Sequence, residues 1–264
     1  MNERVSIRAE AGIAYVCLNR PEKRNAMDLE MFLAIVDAQK SLRVRRDIRA
    51  VILQGLGDDF CSGLDVKSMI SNRRAMLRLL WKWLPWLPNA AQQVGVGWRR
   101  LPVPVIAAIQ GRCWGGGLQL ALGADFRMVH PAASLSVMEG KWGLIPDMGG
   151  ALALRELMNR DQATRITMTA ETLDATRAFE LGLATELCEN PLASAEQLAR
   201  EICERSPDTI AAVKKLYRKS WSAGEGSTLA RETLYQIRVL TGANQRITVH
   251  RQQGKDTPYK NRRF

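Results

Sequence analysis

An α/β fold with parallel strands, closed by a helical final third, is what the sequence predicts, and three observations carry it. Short apolar runs ending in glycine recur and lead through glycine-bearing loops into helices. From about Asn159 onward only helical periodicity is left. The chain has 264 residues, 46% of them apolar and 25% charged, which supports one large core and argues against extended disorder.

The elements follow in chain order. VSIRAEAGIAYVCLN sets two short β-branched segments on either side of Ala11 and Gly12, which fits a hairpin. NRPEKRNAMD is a polar turn, and Asp28 is placed to cap a helix through LEMFLAIVDAQKSL, whose apolar residues recur at helical spacing. RAVILQG reads as a buried parallel strand; PVIAAIQG repeats that signature and DFRMVH carries it more weakly. Then come ATRITMTA, TRAFELGLA, SAEQLAREICERS, PDTIAAVKKLYRKSW, STLARETLYQIRVL and ANQRITVHRQQ, all helical. The expected organisation is an α/β core over 1–200 and a helical C-terminal region over 201–264, a tail suited to packing on a neighbour.

One segment breaks the rhythm. RRAMLRLLWKWLPWLPNAAQQVGVGWRR concentrates Trp81, Trp83, Trp86 and Trp98, with Pro85 and Pro88 interrupting the helix. Two readings stay open: packing in the core or a subunit interface, and a variable wall around an apolar substrate pocket.

Composition narrows the function classes. The five cysteines are scattered and never form a CxxC pair, so neither a disulfide framework nor a zinc site is expected. Only His130 and His250 are present, so no histidine-based metal centre is expected. The first ten residues include charges and no run reaches the roughly 18 apolar residues of a membrane span, so we expect a cytoplasmic protein with no membrane partner. A net charge of +11 attracts polyanions, but its clusters at 43–49, 73–78, 214–219 and 255–263 form no dominant tract and read mainly as a solvated surface. No aromatic-interleaved RNA motif accompanies them, so nucleic acid is not an expected partner.

Two loops point to chemistry. In GRCWGGGLQLALGAD, Gly115, Gly116 and Gly117 stand between a strand and a helix, where backbone amides meet a ligand closely and the helix start favours negative charge. FCSGLDVK follows the strand RAVILQG and aims the amide of Leu64 toward the same point. Two converging amides make an oxyanion hole suited to the enolate of a thioester.

With those residues in view, the chain resembles the crotonase superfamily of enoyl-CoA hydratases and isomerases. NRPEKRNAMD, FCSGLDVK, IQGRCWGGGLQLALGAD and MEGKWGLIPDMGG resemble four family motifs in family order and spacing. The resemblance implies a spiral of ββα turns, a helical trimerisation region, and trimers or hexamers. It also implies a CoA thioester substrate, with CoA arriving only as part of it and no separate cofactor. By the same carry-over the amides of Leu64 and Gly116 form the oxyanion hole, and the backbone around Arg24, Ala26, Gly63, Asp65 and Val66 holds CoA.

The resemblance also exposes a departure. Hydratases of this type use two glutamates to hold water; Glu139 matches the later one, but Gln119 stands at the helix position, three residues beyond Gly116. An amide can orient water or a carboxylate but exchanges no proton at neutral pH. Asp147, eight residues after Glu139, resembles the catalytic aspartate of dienoyl-CoA isomerases; the competing reading makes it the N-cap of the helix in MGGALALRELM. The expected activity is a double-bond shift with Glu139 as principal acid/base, Asp147 as the second and Gln119 as a polar aid. A specialised hydratase and an RNA-binding relative are the alternatives.

Overall fold

The computed structural model describes residues 4–70 and 73–264; the first three residues, part of the charged start noted above, and Ser71–Asn72 lie outside the described residues. Strands β1 (Val5–Glu10) and β2 (Ile13–Leu18) form the expected antiparallel hairpin. Ala11 and Gly12 turn it at φ 49° and 81°, the positive pair that matches the strand twist. Helix α1 (Leu29–Val44) starts where Asp28 accepts the Met31 amide at 2.9 Å.

The chain continues through β3 (Ala50–Gly55), α2 (Val66–Ile70), α3 (Arg73–Leu80), α4 (Ala90–Arg100), β4 (Val105–Ile109), β5 (Arg112–Trp114) and α5 (Gly116–Ala121). Next come β6 (Phe126–Val129), β7 (Ser134–Ser136), α6 (Gly150–Leu157), α7 (Arg160–Thr169), β8 (Leu173–Asp174), α8 (Ala175–Glu180) and β9 (Glu186–Leu187). Four helices finish it: α9 (Pro191–Cys203), α10 (Pro207–Ser220), α11 (Glu225–Leu240) and α12 (Ala243–Gln252).

The larger sheet has the order β1-β2-β3-β4-β6-β9, parallel from β2 onward; the smaller has the order β5-β7-β8. β4 leads into β5 and then α5, and β6 leads into β7, so the chain steps from one sheet to the other and returns through helices. This is the expected ββα spiral. Strand alternation gives the large sheet two buried faces. Val16, Leu18, Val51, Leu53, Val105, Ala107 and Ile109 face the main core, while Ile13, Ala50, Ile52, Ile106, Ala108 and Met128 meet Ala195 and Ala199 of α9.

Four expectations change. The final third is not purely helical: β8 and β9 close the two sheets, but strands of two residues carry no readable period. TRAFELGLA is helical only to Glu180, because Gly182 at φ 80° turns the chain out. The four tryptophans also part company: Trp98 is fully buried in the core, whereas Trp81, Trp83 and Trp86 face outward. The basic clusters are partly structural as well. Lys214 is buried against Asp125 at 2.6 Å and donates to the Trp98 and Val103 carbonyls, and Arg262 donates to the Ile48 carbonyl at 2.8 Å.

One buried side chain holds the motif NRPEKRNAMD in place. Asn25, at φ 55°, accepts the Arg20 amide at 2.9 Å and donates to the Leu56 and Asp59 carbonyls at 2.9 and 2.8 Å. Asn25→Ala leaves three buried backbone groups unpaired and keeps a positive φ that alanine resists. It is expected to cost about 3–5 kcal/mol, read as a lower denaturant midpoint at unchanged slope.

Candidate active site

Three backbone segments are zipped side by side. Between residues 24–27 and 62–65, Ser62 donates to the Arg24 carbonyl, Met27 to Gly63, and Asp65 to Met27, all at 2.8–3.0 Å. Cys61 donates to the Arg112 carbonyl and Trp114 donates back to Cys61, which joins the second segment to β5; Gly115 donates to Ser136 of β7. Gly63 sits at φ 96°, and a Cβ there would lie 2.8 Å from the Trp114 oxygen and 3.6 Å from the Gly116 nitrogen. The loop of Leu64 and the start of α5 therefore touch.

That contact leaves two amides spare. Leu64 pairs with Met27 in an isolated bridge whose bonds use the groups of Gly63 and Asp65, leaving the Leu64 N–H outside both. Gly116 begins α5, so its N–H has no intrahelical acceptor. At Gly117, a Cβ would meet the Cys61 carbonyl oxygen, so only glycine lets α5 approach this loop.

Around the Arg24 turn, the guanidinium of Arg20 donates to the Ala26 carbonyl at 2.9 Å and to Asp65 at 2.8 Å. Burial pushes the Asp65 carboxyl up, but the Ser68 amide and Arg20 outweigh it and hold its pKa low. Asp65 thus also ties down the first turn of α2, which begins at Val66. Sequence reasoning missed Arg20 and Asn25, although both stand in the polar motif that flagged the turn.

Glu139 opens the short turn Glu139–Trp142 and is buried. Its Oε1 would lie 3.6 Å from a Cβ on Gly115, which sets the carboxylate against the residue that precedes α5. Gln119, on α5, donates from Nε2 to Glu139 Oε1 at 2.5 Å, while its own Oε1 accepts the Met148 and Gly150 amides at 2.8 and 3.1 Å. Those two donors fix which end of the amide faces which way. Gln119 is fully engaged as a clamp. Glu139 Oε2, by contrast, is buried and has no hydrogen-bond partner among the described residues. Burial raises the Glu139 pKa against the opposing hydrogen bonds, and the charge of Asp147 adds to the rise.

Asp147 does not cap α6, whose N-cap is Gly149 at φ 88°. Asp147 instead lines a cleft of about 350 Å³ with Trp86, Leu87, Val96, Ile145 and Leu152. Although Asp147 is exposed in the single chain, crowding around its carboxyl desolvates it enough to raise its pKa. The structure thus brings together Gly63, Leu64, Gly116, Gln119, Glu139 and Asp147, with the Arg24–Ala26 turn and Asp65–Val66 zipped alongside. Met148, Gly150 and the cleft wall were not singled out from sequence, because their roles arise only when distant segments meet.

The sequence model of the enoyl-CoA hydratase/isomerase family matches residues 8–250. The chain belongs to this family. Among curated members, it is 32% identical over 228 residues to the mitochondrial Delta(3,5)-Delta(2,4)-dienoyl-CoA isomerase of Rattus norvegicus, covering 82% of this chain and 69% of the relative. It is 31% identical over 226 residues to the carnitinyl-CoA dehydratase of Salmonella typhi, covering 83% and 81%. A crystal structure of an enoyl-CoA hydratase from Polaromonas sp. JS666 superposes with a TM-score of 0.86 at 28% identity, over 97% of this chain and 99% of that one. This family member is therefore an acyl-CoA enzyme with the crotonase fold.

Proposed function

We propose that the protein shifts carbon–carbon double bonds of an enoyl- or dienoyl-CoA thioester through an enolate. One observation carries this reading: Glu139, packed against Gly115 at the start of α5, has one oxygen clamped by Gln119 and the other buried and unpaired. In this scheme the amides of Leu64 and Gly116 receive the thioester oxygen as negative charge develops. Glu139 Oε2 moves a proton at one carbon, and Asp147 delivers or removes one further along the chain. Gln119 positions Glu139 without titrating. The 32% identity to a dienoyl-CoA isomerase agrees with this assignment.

The remaining assignments belong to the same proposal. The backbone around Arg24, Ala26, Gly63, Asp65 and Val66 holds CoA; the Arg24 and Ala26 carbonyls each accept one internal bond and keep a second lone pair. No cofactor is required beyond the CoA of the substrate. The protein works as a trimer or hexamer in the cytoplasm. Helix α11 has no buried residue, and its exposed Leu229, Leu234, Ile237 and Leu240 suit a subunit contact.

A second reading, removal or addition of water, draws on the likeness to carnitinyl-CoA dehydratase. The two differ at Asp147. If Asp147 serves the distal carbon, Asp147→Asn lowers net isomerisation by roughly 10²-fold. Exchange of substrate hydrogen for solvent deuterium at the carbon served by Glu139 is expected to persist. Loss of both together would remove the two-carboxyl scheme.

A further inference from the structure

The tryptophan-rich segment is more exposed than its composition allows a free surface to be. Leu77, Trp81, Trp83 and Trp86 are 70%, 70%, 87% and 75% exposed, and Leu80, Leu84 and Leu87 join them. This is one continuous stretch, not a scatter of single residues. It is held by specific bonds: Trp81 donates to the Leu77 carbonyl and Leu87 to Leu84, both at 3.0 Å, while Leu79 is buried beneath. Helix α3 ends at Leu80, so the three indoles project from the turns that follow it.

Charge surrounds the apolar stretch on one side of the balance only. Arg74 and Arg78 are exposed on α3, and Lys82 follows between two tryptophans. No carboxylate pairs with any of these three among the described residues. From Val66 through Ala124 the sequence contains no Asp or Glu at all.

We infer that this segment is a docking surface for an anionic lipid bilayer. Tryptophan and leucine beside arginine and lysine is the pattern of an interfacial element, the rings seated among the acyl chains and the cations on the headgroups. A second copy presenting the same patch is the weaker occupant, because Arg74, Arg78 and Lys82 would meet their own like with no acid from Val66 through Ala124 to pair them. No helix among the described residues is long and apolar enough to cross a membrane, so the contact is adsorption. The expectation of no membrane partner rested on the lack of a spanning run, and adsorption does not need one.

The surface also adjoins the cleft of Asp147. Trp86 and Leu87 belong to both, so adsorption sets the mouth of that cleft against the bilayer, where long-chain acyl thioesters partition. That consequence rests on the proposed activity; the docking itself does not, and it is tested without substrate.

The test is cosedimentation of the full chain with vesicles of phosphatidylcholine alone and of phosphatidylcholine with phosphatidylglycerol. Binding is expected only to the anionic vesicles, weakening as salt is raised. The double variant Trp81→Ala, Trp83→Ala is expected to lower the partition coefficient at least about tenfold. Arg74→Gln with Arg78→Gln is expected to lower it about 30-fold. Circular dichroism and native mass check that both variants keep the fold and the subunit count. Absence of binding to anionic vesicles, equal binding to both kinds, or binding that survives both double variants overturns the proposal. So does dissociation of an oligomer by Trp81→Ala, Trp83→Ala, which would give the surface to a second copy.

Discussion

Glu139→Gln is expected to lower kcat by roughly 10³-fold while KM for the thioester changes little. The substitution keeps the shape and leaves an oxygen to accept from Gln119, so the clamp at 2.5 Å has a replacement acceptor. What disappears is the unpaired Oε2 that carries the proton in the proposed scheme. In the unsubstituted protein, a base at this position works only when ionised. Activity therefore rises with pH through a value above glutamate's usual 4.5, since burial raises the Glu139 pKa. Stability runs the other way. A carboxyl whose pKa is higher in the folded state holds its proton longer there than in the unfolded chain, so its contribution falls as pH rises from the unfolded toward the folded pKa. At neutral pH, Glu139→Gln should be at least as stable as the parent, measured by urea unfolding, even as its activity collapses.

Gly117→Ala is the second large effect, and it acts through backbone alone. The added Cβ would overlap the Cys61 carbonyl oxygen and lie 2.7 Å from the Cys61 Cβ. Neither is the end of a flexible side chain, so the loop carrying Gly63 and Leu64 must move away from α5. A displacement of about 1 Å costs roughly 10²-fold in kcat when catalysis depends on two aligned amides. Overpacking should add about 1–3 kcal/mol of destabilisation. Gly116→Ala makes the useful contrast, because its Cβ meets the mobile ends of Met27 and Met148 at 2.5 and 2.9 Å. Comparing kcat and unfolding midpoints of the two variants separates displaced amides from general crowding.

How far each feature could be read from sequence follows from how local its cause is. The hairpin at Ala11–Gly12 and the Asp28 cap depend on residues within three positions, and both stand where the sequence puts them. The buried strands are legible because both faces are covered. Strands β8 and β9 exist only because neighbouring strands offer them an edge, so no pattern within them announces it. At the site, the Gly115–Gly117 triplet and Glu139 carry their own motifs. The clamp does not, since Gln119 meets its donors 29 and 31 residues later. Trp98 and Trp83 look alike in composition; only the packing of α4 decides that the first is core and the second is surface.

In the proposed scheme one clamped, partly unpaired carboxylate moves double bonds together with Asp147 and does not manage water. The scheme is tested most directly by incubating the protein with enoyl-CoA and dienoyl-CoA thioesters and following ultraviolet absorbance and product mass together. Absorbance is expected to change while the product keeps the mass of the substrate, with the change abolished in Glu139→Gln. A product heavier by one water would contradict it, and would show that Gln119 supports hydration without a second glutamate.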